Sequence, residues 1–216
     1  MDKNLIKLQK QIISGKYIPK TARGINIPKK NNKMREISLM DLIDRIIQRT
    51  LVDYLDPIFD KDFIKDSYAY RKRKCCQLVH KRIDRLIKSN YTYILDADLT
   101  NYFGTINHNI LLTKLNYKIK DRRVLKLIKR YLQQIEYKDY FRMMQKGVKQ
   151  GSIISPLFSN IYLNEFDYNL TKKGYLLIRY ADDFIILAKS KDEIIRAYKD
   201  CKLELDKLGL EFNKEN

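Results

Sequence analysis

Two adjacent carboxylates, Asp182 and Asp183, stand between two short apolar runs, Leu176-Leu177-Ile178 and Phe184-Ile185-Ile186-Leu187. Runs of this length, rich in β-formers, read as buried strands. A hairpin joining them would carry both acids at its tip. Carboxylates paired at the end of a buried hairpin repel each other unless a cation sits there. Oxygen donors suit hard divalent cations, and Mg²⁺ is typically held by one or two carboxylates plus substrate phosphates. Taken by itself, the stretch also fits a plain acidic turn at a strand end.

Other segments supply companions for that pair. Tyr91 to Leu99 reads as a strand, and its alternation places Asp96 and Asp98 on one face. An acid at the end of a central strand, before a turn, is a second candidate ligand position; a solvated strand end is the plainer alternative. Gly147-Val148-Lys149-Gln150-Gly151-Ser152-Ile153-Ile154-Ser155-Pro156 reads as a glycine loop entering a helix. Ser155 suits its N-cap and Pro156 its first turn, and the glycines let backbone approach a ligand closely. Ile25 to Ile37 alternates around a polar turn and predicts a β-hairpin with Lys29, Lys30, Lys33 and Arg35 near its tip, suited to phosphates or simply to solvent. Tyr68 and Tyr70 run into Arg71-Lys72-Arg73-Lys74, a mixture that can stack bases and neutralise phosphates, or can form a core edge.

Helices must position these groups. Leu5, Leu8 and Ile12 predict a short helix ending near Gly15. Asp41 suits a helix start, with Ile43, Ile46, Ile47, Leu51 and Tyr54 as its core face and Pro57 as its end. Val79, Ile83, Leu86 and Ile87 predict an inward helix face. Asn107 suits the N-cap of a helical region over 109–135, in two pieces, and 140–144 predicts a strand. Phe158 to Leu170 continues the helix capped by Ser155, and Ile194 to Leu208 predicts a last helix stopped by Gly209. The second half thus alternates β-α-β-β-α, a split βαβ arrangement that lets the strand of Asp98 lie beside the hairpin of Asp182 and Asp183. Three carboxylates on one open sheet face are the ligand set for two Mg²⁺ ions in an in-line phosphoryl transfer.

A chain of 216 residues fits one domain or two closely packed lobes. The net charge of +18 is spread along the chain and favours a polyanionic partner, although a lysine-rich proteome would also raise it. Cys75, Cys76 and Cys201 follow no zinc spacing and read as reduced thiols of an intracellular protein. With His80 and His108 the only histidines, histidine-based metal or nucleophile chemistry is disfavoured. Neither a membrane-length apolar run nor a signal-peptide core is present.

Four segments in order make the chain resemble the group II intron-type reverse transcriptases. They are Ile27 to Arg35 with Asp44-Arg45-Ile46-Ile47-Gln48, Asp98 through Phe103 to Asn107-His108, Gln150-Gly151-Ser152-Ile153-Ile154-Ser155-Pro156 through Leu163, and Tyr180-Ala181-Asp182-Asp183. The resemblance implies an α+β right-hand polymerase. Residues 1–92 would be fingers, with parts of 113–149 returning to them, and 93–216 the palm. The implied function is an RNA-directed DNA polymerase that uses two Mg²⁺ ions, an RNA template, a DNA primer and dNTPs, with intron RNA as a further partner. Asp98, Asp182, Asp183 and the Leu99 carbonyl would hold the metals. Lys29 and Arg35 would hold the triphosphate, Phe103 would exclude a 2′-hydroxyl, and Gln150 and Gly151 would line the nascent base pair. Arg71, with Arg73 and Lys74, would contact the nucleic acid.

The chain departs from the family pattern in places. Tyr70-Arg71-Lys72-Arg73-Lys74-Cys75 stands where the family usually has Phe-Arg-Pro-Gly-Arg-Ser, and Gly104 replaces an acid. The resemblance also leads one to expect a piece lacking primer grip and thumb, weak in extension by itself, in the cytoplasm of a bacterium or in an organelle. A catalytically silent, maturase-like RNA-binding remnant and an unrelated basic nucleic-acid-binding protein are the competing readings. Retention of all three acids favours the polymerase.

Overall fold

The computed structural model describes residues 3–28, 34–133 and 145–213, without the side chain of Arg35. Lys29, Lys30 and Lys33, and the strand expected over 140–144, lie outside the described residues.

Helix α1 (Lys3–Ile13) leads into an antiparallel hairpin of β1 (Arg23–Pro28) and β2 (Met34–Leu39), as the alternation predicted. Every residue of β1 is exposed, so the hairpin projects from the core. Helix α2 (Leu42–Phe59) starts where Asp41 accepts the amide of Ile43. Pro57 lies inside its last turn and does not end it; proline's φ is helical, and only a ladder bond is lost. The buried face of α2 is Asp44, Ile47, Gln48, Leu51 and Leu55, whereas Ile43, Ile46 and Tyr54 are exposed. The inward face is therefore rotated from the expected one, because two polar residues with buried partners occupy it. Asp44 accepts from the Tyr17 and Tyr131 hydroxyls at 2.7 and 2.9 Å and from the Lys20 amide at 3.0 Å, tying three chain segments together.

The second half is built on a three-stranded antiparallel sheet in the order β3 (Tyr93–Ala97), β5 (Asp183–Ala188), β4 (Leu176–Tyr180). β5 lies between two parallel strands, the expected split βαβ topology. The strand leading to Asp98 is thus an edge and not the centre. Isolated bridges extend both edges, Ser67 with Arg179 and Leu99 with Phe212.

Between β3 and β4 come α4 (Tyr102–Thr105), α5 (His108–Lys118), α6 (Arg122–Leu132) and α7 (Ser155–Lys172). Asn107 caps α5 as expected, accepting from Asn109 and Ile110. The residue before α7 is Ile154; Ser155 is already helical, and its hydroxyl donates to the Lys149 carbonyl instead of capping. One face of the sheet, with Leu177, Phe184 and Ile186, packs on α7 and on α8 (Lys191–Leu208) in the main core. The other face, with Ile178 and Leu187, packs on Tyr68 and on Leu86 of α3 (Cys76–Lys88). Ile87 is exposed, so the inward face of α3 is narrower than its periodicity suggested.

Candidate active site

The acidic turn is a two-residue connection. Tyr180 pairs with Asp183, which leaves Ala181 and Asp182 between the strands. Ala181 has φ +62°, a left-handed conformation that costs a non-glycine residue about 1–3 kcal/mol. What holds it is Arg179, fully buried beneath the turn. Its guanidinium donates to the Ala181 carbonyl at 2.8 Å, to Asn160 Oδ1 at 3.1 Å and to Ser67 Oγ at 2.9 Å. Asp167 accepts from the same group at 2.6 to 3.0 Å in an ion pair with no solvent exposure on either side. Asn160 and Asp167 are polar residues on inward positions of the apolar helix α7, which is the signal by which sequence reasoning could have found this scaffold.

Asp98 follows β3 and is fixed on its outer edge. Its carbonyl accepts from the Asn213 amide at 2.9 Å, and Thr100 donates its own amide to the Glu211 carbonyl at 3.0 Å. The Asp98 carboxylate accepts from the Leu99 amide at 2.8 Å and from Asn213 Nδ2 at 3.3 Å. Strand alternation then turns the Leu99 carbonyl toward β5 and the acidic turn.

The acids feel one another. Burial, then the charges of Asp182 and Asp98 and a hydrogen bond with Asp98, push Asp183 up to about 6; Asp96 adds a smaller push. Among the described residues no three His, Cys, Asp or Glu side chains form a ready metal-binding group. The donor chemistry nevertheless fits a divalent cation. All donors are oxygen, and a carboxylate pair drawn together by a shared proton can be drawn together by a hard cation instead.

A cleft of about 690 Å³ gathers most of the expected site. Asp98, Leu99, Phe103, Gln150, Gly151 and Asp182 line it, together with Ile37, Tyr70 and Asn213. Phe103 is placed by Tyr102, whose buried ring it meets edge-on at 5.4 Å and whose hydroxyl donates to the Ser159 carbonyl. The Phe103 carbonyl accepts the Val148 amide at 2.7 Å, stitching the turn to the glycine loop. A Cβ on Gly104 would meet the terminal amide of Asn101 at 2.5 Å, an overlap that a turn of that side chain relieves.

Gln150 and Gly151 are set against the basic hairpin. The Ser38 amide donates to the Gln150 carbonyl at 2.7 Å. Gly151 has φ +94°, and a Cβ on it would fall 2.6 Å from Ile37 Cγ2 and 2.8 Å from the Ser38 carbonyl. Gln48 holds the next residues, its Oε1 accepting from Ser152 Oγ at 2.7 Å and from the Ile153 amide at 3.0 Å.

The expected nucleic-acid contacts fare differently. Arg71 does not present its guanidinium to a template. It is committed to Asp60 and to the carbonyls of Asp60, Ile64 and Ser67, with its side chain 8% exposed. Arg73, which stands at the family's glycine position, has φ +62°, Tyr70 has φ +61°, and Arg71 ties the loop to the 60–67 segment. Lys74 donates to the Lys65 carbonyl and lies 4.8 Å over the Tyr68 ring, while Arg73 is exposed. Lys29 and the Arg35 side chain lie outside the described residues, so their triphosphate role is not met by any geometry here.

A split βαβ sheet that brings acids from a strand end and a hairpin turn into one cleft, roofed by a β-hairpin, defines the fingers and palm of a right-hand polymerase. A family model described as reverse transcriptase (RNA-dependent DNA polymerase) matches residues 27–215. The chain belongs to that family. It is 31% identical to protein YkfC of Escherichia coli K12 over 96% of this chain and 65% of that one. It is 30% identical to the group II intron-encoded protein LtrA of Lactococcus lactis, over 99% of this chain and 34% of LtrA. Among solved structures, the partial Cas6-RT-Cas1–Cas2 complex matches at a TM-score of 0.52 and 28% identity, covering 94% of this chain and 37% of that one. Telomerase from Candida albicans shares the fold at a TM-score of 0.69 and 13% identity, over 100% of this chain and 42% of that one. The chain thus spans only part of the length of each of these relatives. Among the described residues no helix is long and apolar enough to cross a membrane.

Proposed function

We propose that this chain is the nucleotidyl-transfer core of a group II intron-type reverse transcriptase, with residues 1–92 as fingers and 93–216 as palm. The observation that carries the reading is the shared cleft, in which Asp98 and Asp182 face Phe103, Gln150 and Gly151. Asp98, Asp182, Asp183 and the Leu99 carbonyl would hold two Mg²⁺ ions, which when bound lower the barrier by neutralising charge on the attacking and leaving oxygens. The residues of the chain then have positioning tasks. Phe103 sits where a sugar edge would pass, and Gln150 with Gly151 presents backbone to the nascent pair. Lys29 and Arg35 are the proposed triphosphate contacts. Exposed Arg73 and the net charge of +18 favour a template–primer duplex. Transfer joins a primer 3′-hydroxyl to the α-phosphorus of a dNTP and releases pyrophosphate, without a protein nucleophile.

Primer extension on an RNA template with Mg²⁺ and dNTPs tests the reading. Extension that is abolished by EDTA and by the double substitution Asp182→Ala/Asp183→Ala is expected. Salt-sensitive RNA binding without extension in the parent chain would favour the RNA-binding remnant instead.

A further inference from the structure

A second groove, of about 480 Å³, lies between α5 and α6 and shares no residue with the catalytic cleft. Leu112 and Leu125, half-buried against the core, line it from the two helices. Exposed Asn109 and Asn116 stand on the α5 side, and exposed Arg122, Lys126 and Lys129 on the α6 side. The three cations recur at i, i+4 and i+7, which puts them on one face of α6 over about 10 Å of its axis. Neither helix contains an acidic residue. Among the described residues none of the three cations forms an ion pair, whereas exposed Arg49 and Lys173 are paired with Asp53 and Asp200. Asp121, the acid next to the stripe in the chain, is engaged by the Arg123 guanidinium at 2.7 and 3.1 Å and by the Arg123 amide at 2.8 Å. Like charges at i, i+4 oppose a helix, and a cation in the first turn faces the positive end of the macrodipole. The stripe is thus unfavourable by itself and is relieved by an anion. Its linear spacing suits a polymer of phosphates better than a lone anion, and its concave wall with half-buried leucines does not suit a flat lipid surface.

We propose that the α5–α6 groove binds the phosphodiester backbone of a structured RNA, separately from the primer–template held in the cleft. Arg122, Lys126 and Lys129 neutralise phosphates along one strand. Asn109 and Asn116 carry amides that both donate and accept, and they suit the ribose 2′-hydroxyls displayed by the wide, shallow minor groove of an RNA helix. The inference goes beyond the polymerase reading and uses it only for what fills the cleft.

Binding of a fluorescent, blunt-ended RNA duplex to the full chain, followed by anisotropy across a salt series, tests the proposal. The triple variant Arg122→Gln/Lys126→Gln/Lys129→Gln should weaken duplex binding at least tenfold. It should also reduce the slope of log K against log salt by about 2 to 3, leave primer extension unchanged and not lower the melting temperature. Lys3→Gln/Lys7→Gln/Lys10→Gln removes three exposed cations at the same spacing from α1, away from the groove, and should weaken binding far less. Equal losses in the two triple variants would show that net charge alone is at work and would overturn the inference. So would an unchanged salt slope in the α6 variant, or a DNA duplex of the same sequence binding as tightly as the RNA. Loss of extension together with duplex binding would place the stripe on the primer–template path and overturn the separate site. A parent chain that binds the duplex through this stripe but extends no primer would overturn the polymerase reading and leave the groove standing.

Discussion

Arg179 donates a 2.8 Å hydrogen bond to the carbonyl of Ala181, the left-handed residue of the acidic turn. The strain of that turn is thus held by a guanidinium that is itself anchored by Asp167, Asn160 and Ser67. The hairpin strands, helix α7 and the 66–71 loop meet at this one side chain. The arrangement fixes where Asp182 and Asp183 point through a side chain that is itself wholly buried.

Removing Arg179 should therefore harm both stability and geometry. Arg179→Met leaves Asp167 buried without its partner, a change that costs about 3–5 kcal/mol. The double variant Arg179→Met/Asp167→Leu should recover much of that loss in urea denaturation. It should not recover primer extension, because the Ala181 carbonyl still lacks its donor. Full recovery of extension in the double variant would remove Arg179 from the positioning role.

Gly151 should tolerate no side chain. Alanine there combines positive-φ strain of about 1–3 kcal/mol with contact against Ile37 and the Ser38 backbone. Gly151→Ala should push the basic hairpin off the loop and lower extension at saturating primer–template. Gly174, at φ +92° with nothing within 4 Å of where a Cβ would stand, is the control. Gly174→Ala should lose stability of the same origin while keeping extension, and equal losses at both sites would show that only backbone strain matters.

Asp183 sets a pH dependence for the metal-free protein. Its carboxyl is pushed up to about 6 from an ordinary value of 3.8, so the folded state binds the proton more tightly than the unfolded one. Stability should then fall as pH rises from about 4 to about 6, and the penalty should be complete above that window. Asp183→Asn, which carries no charge to repel, should raise the melting temperature of the EDTA-treated chain at pH 7.5. The gain should vanish near pH 4. A gain that is the same at both pH values would mean that charge repulsion is not its source.

Phe103 should govern the choice between dNTP and NTP. Its ring meets that of buried Tyr102 edge-on, a contact that would resist its retreat from a 2′-hydroxyl. Phe103→Ala should raise ribonucleotide incorporation relative to deoxyribonucleotide by at least tenfold, with most of the change in KM for the NTP. Unchanged discrimination in steady-state kinetics would assign the selection to another wall of the cleft.

Much of this protein was legible in its residues. The alternation of Tyr91 to Leu99, the paired runs around Asp182 and Asp183, and the caps at Asp41 and Asn107 are local patterns. Local patterns survive into the fold because backbone geometry reads them within a few residues. The ordered motifs marked the family, and the β-α-β-β-α order marked the sheet topology. Side-chain assignments that depend on distant partners were less legible. Arg71 sits in a run of basic residues and looked available, yet Asp60 and three carbonyl groups consume it. Asp44 fell within an apolar helical pattern, and its burial is explained only by Tyr17 and Tyr131, which are far away along the chain.

The sequence by itself determined which groups could bind metal and which elements would carry them, because residue type and period are properties of neighbours in the chain. The tertiary structure decided which groups were free to act. Asp98, Asp182, Phe103 and Gln150 come to one cleft only because β5 inserts between β3 and β4 and the glycine loop docks on the hairpin. The support beneath that cleft, Arg179 with Asp167, depends on contacts between separate elements, and no spacing along the chain encodes a contact that exists only once those elements have packed.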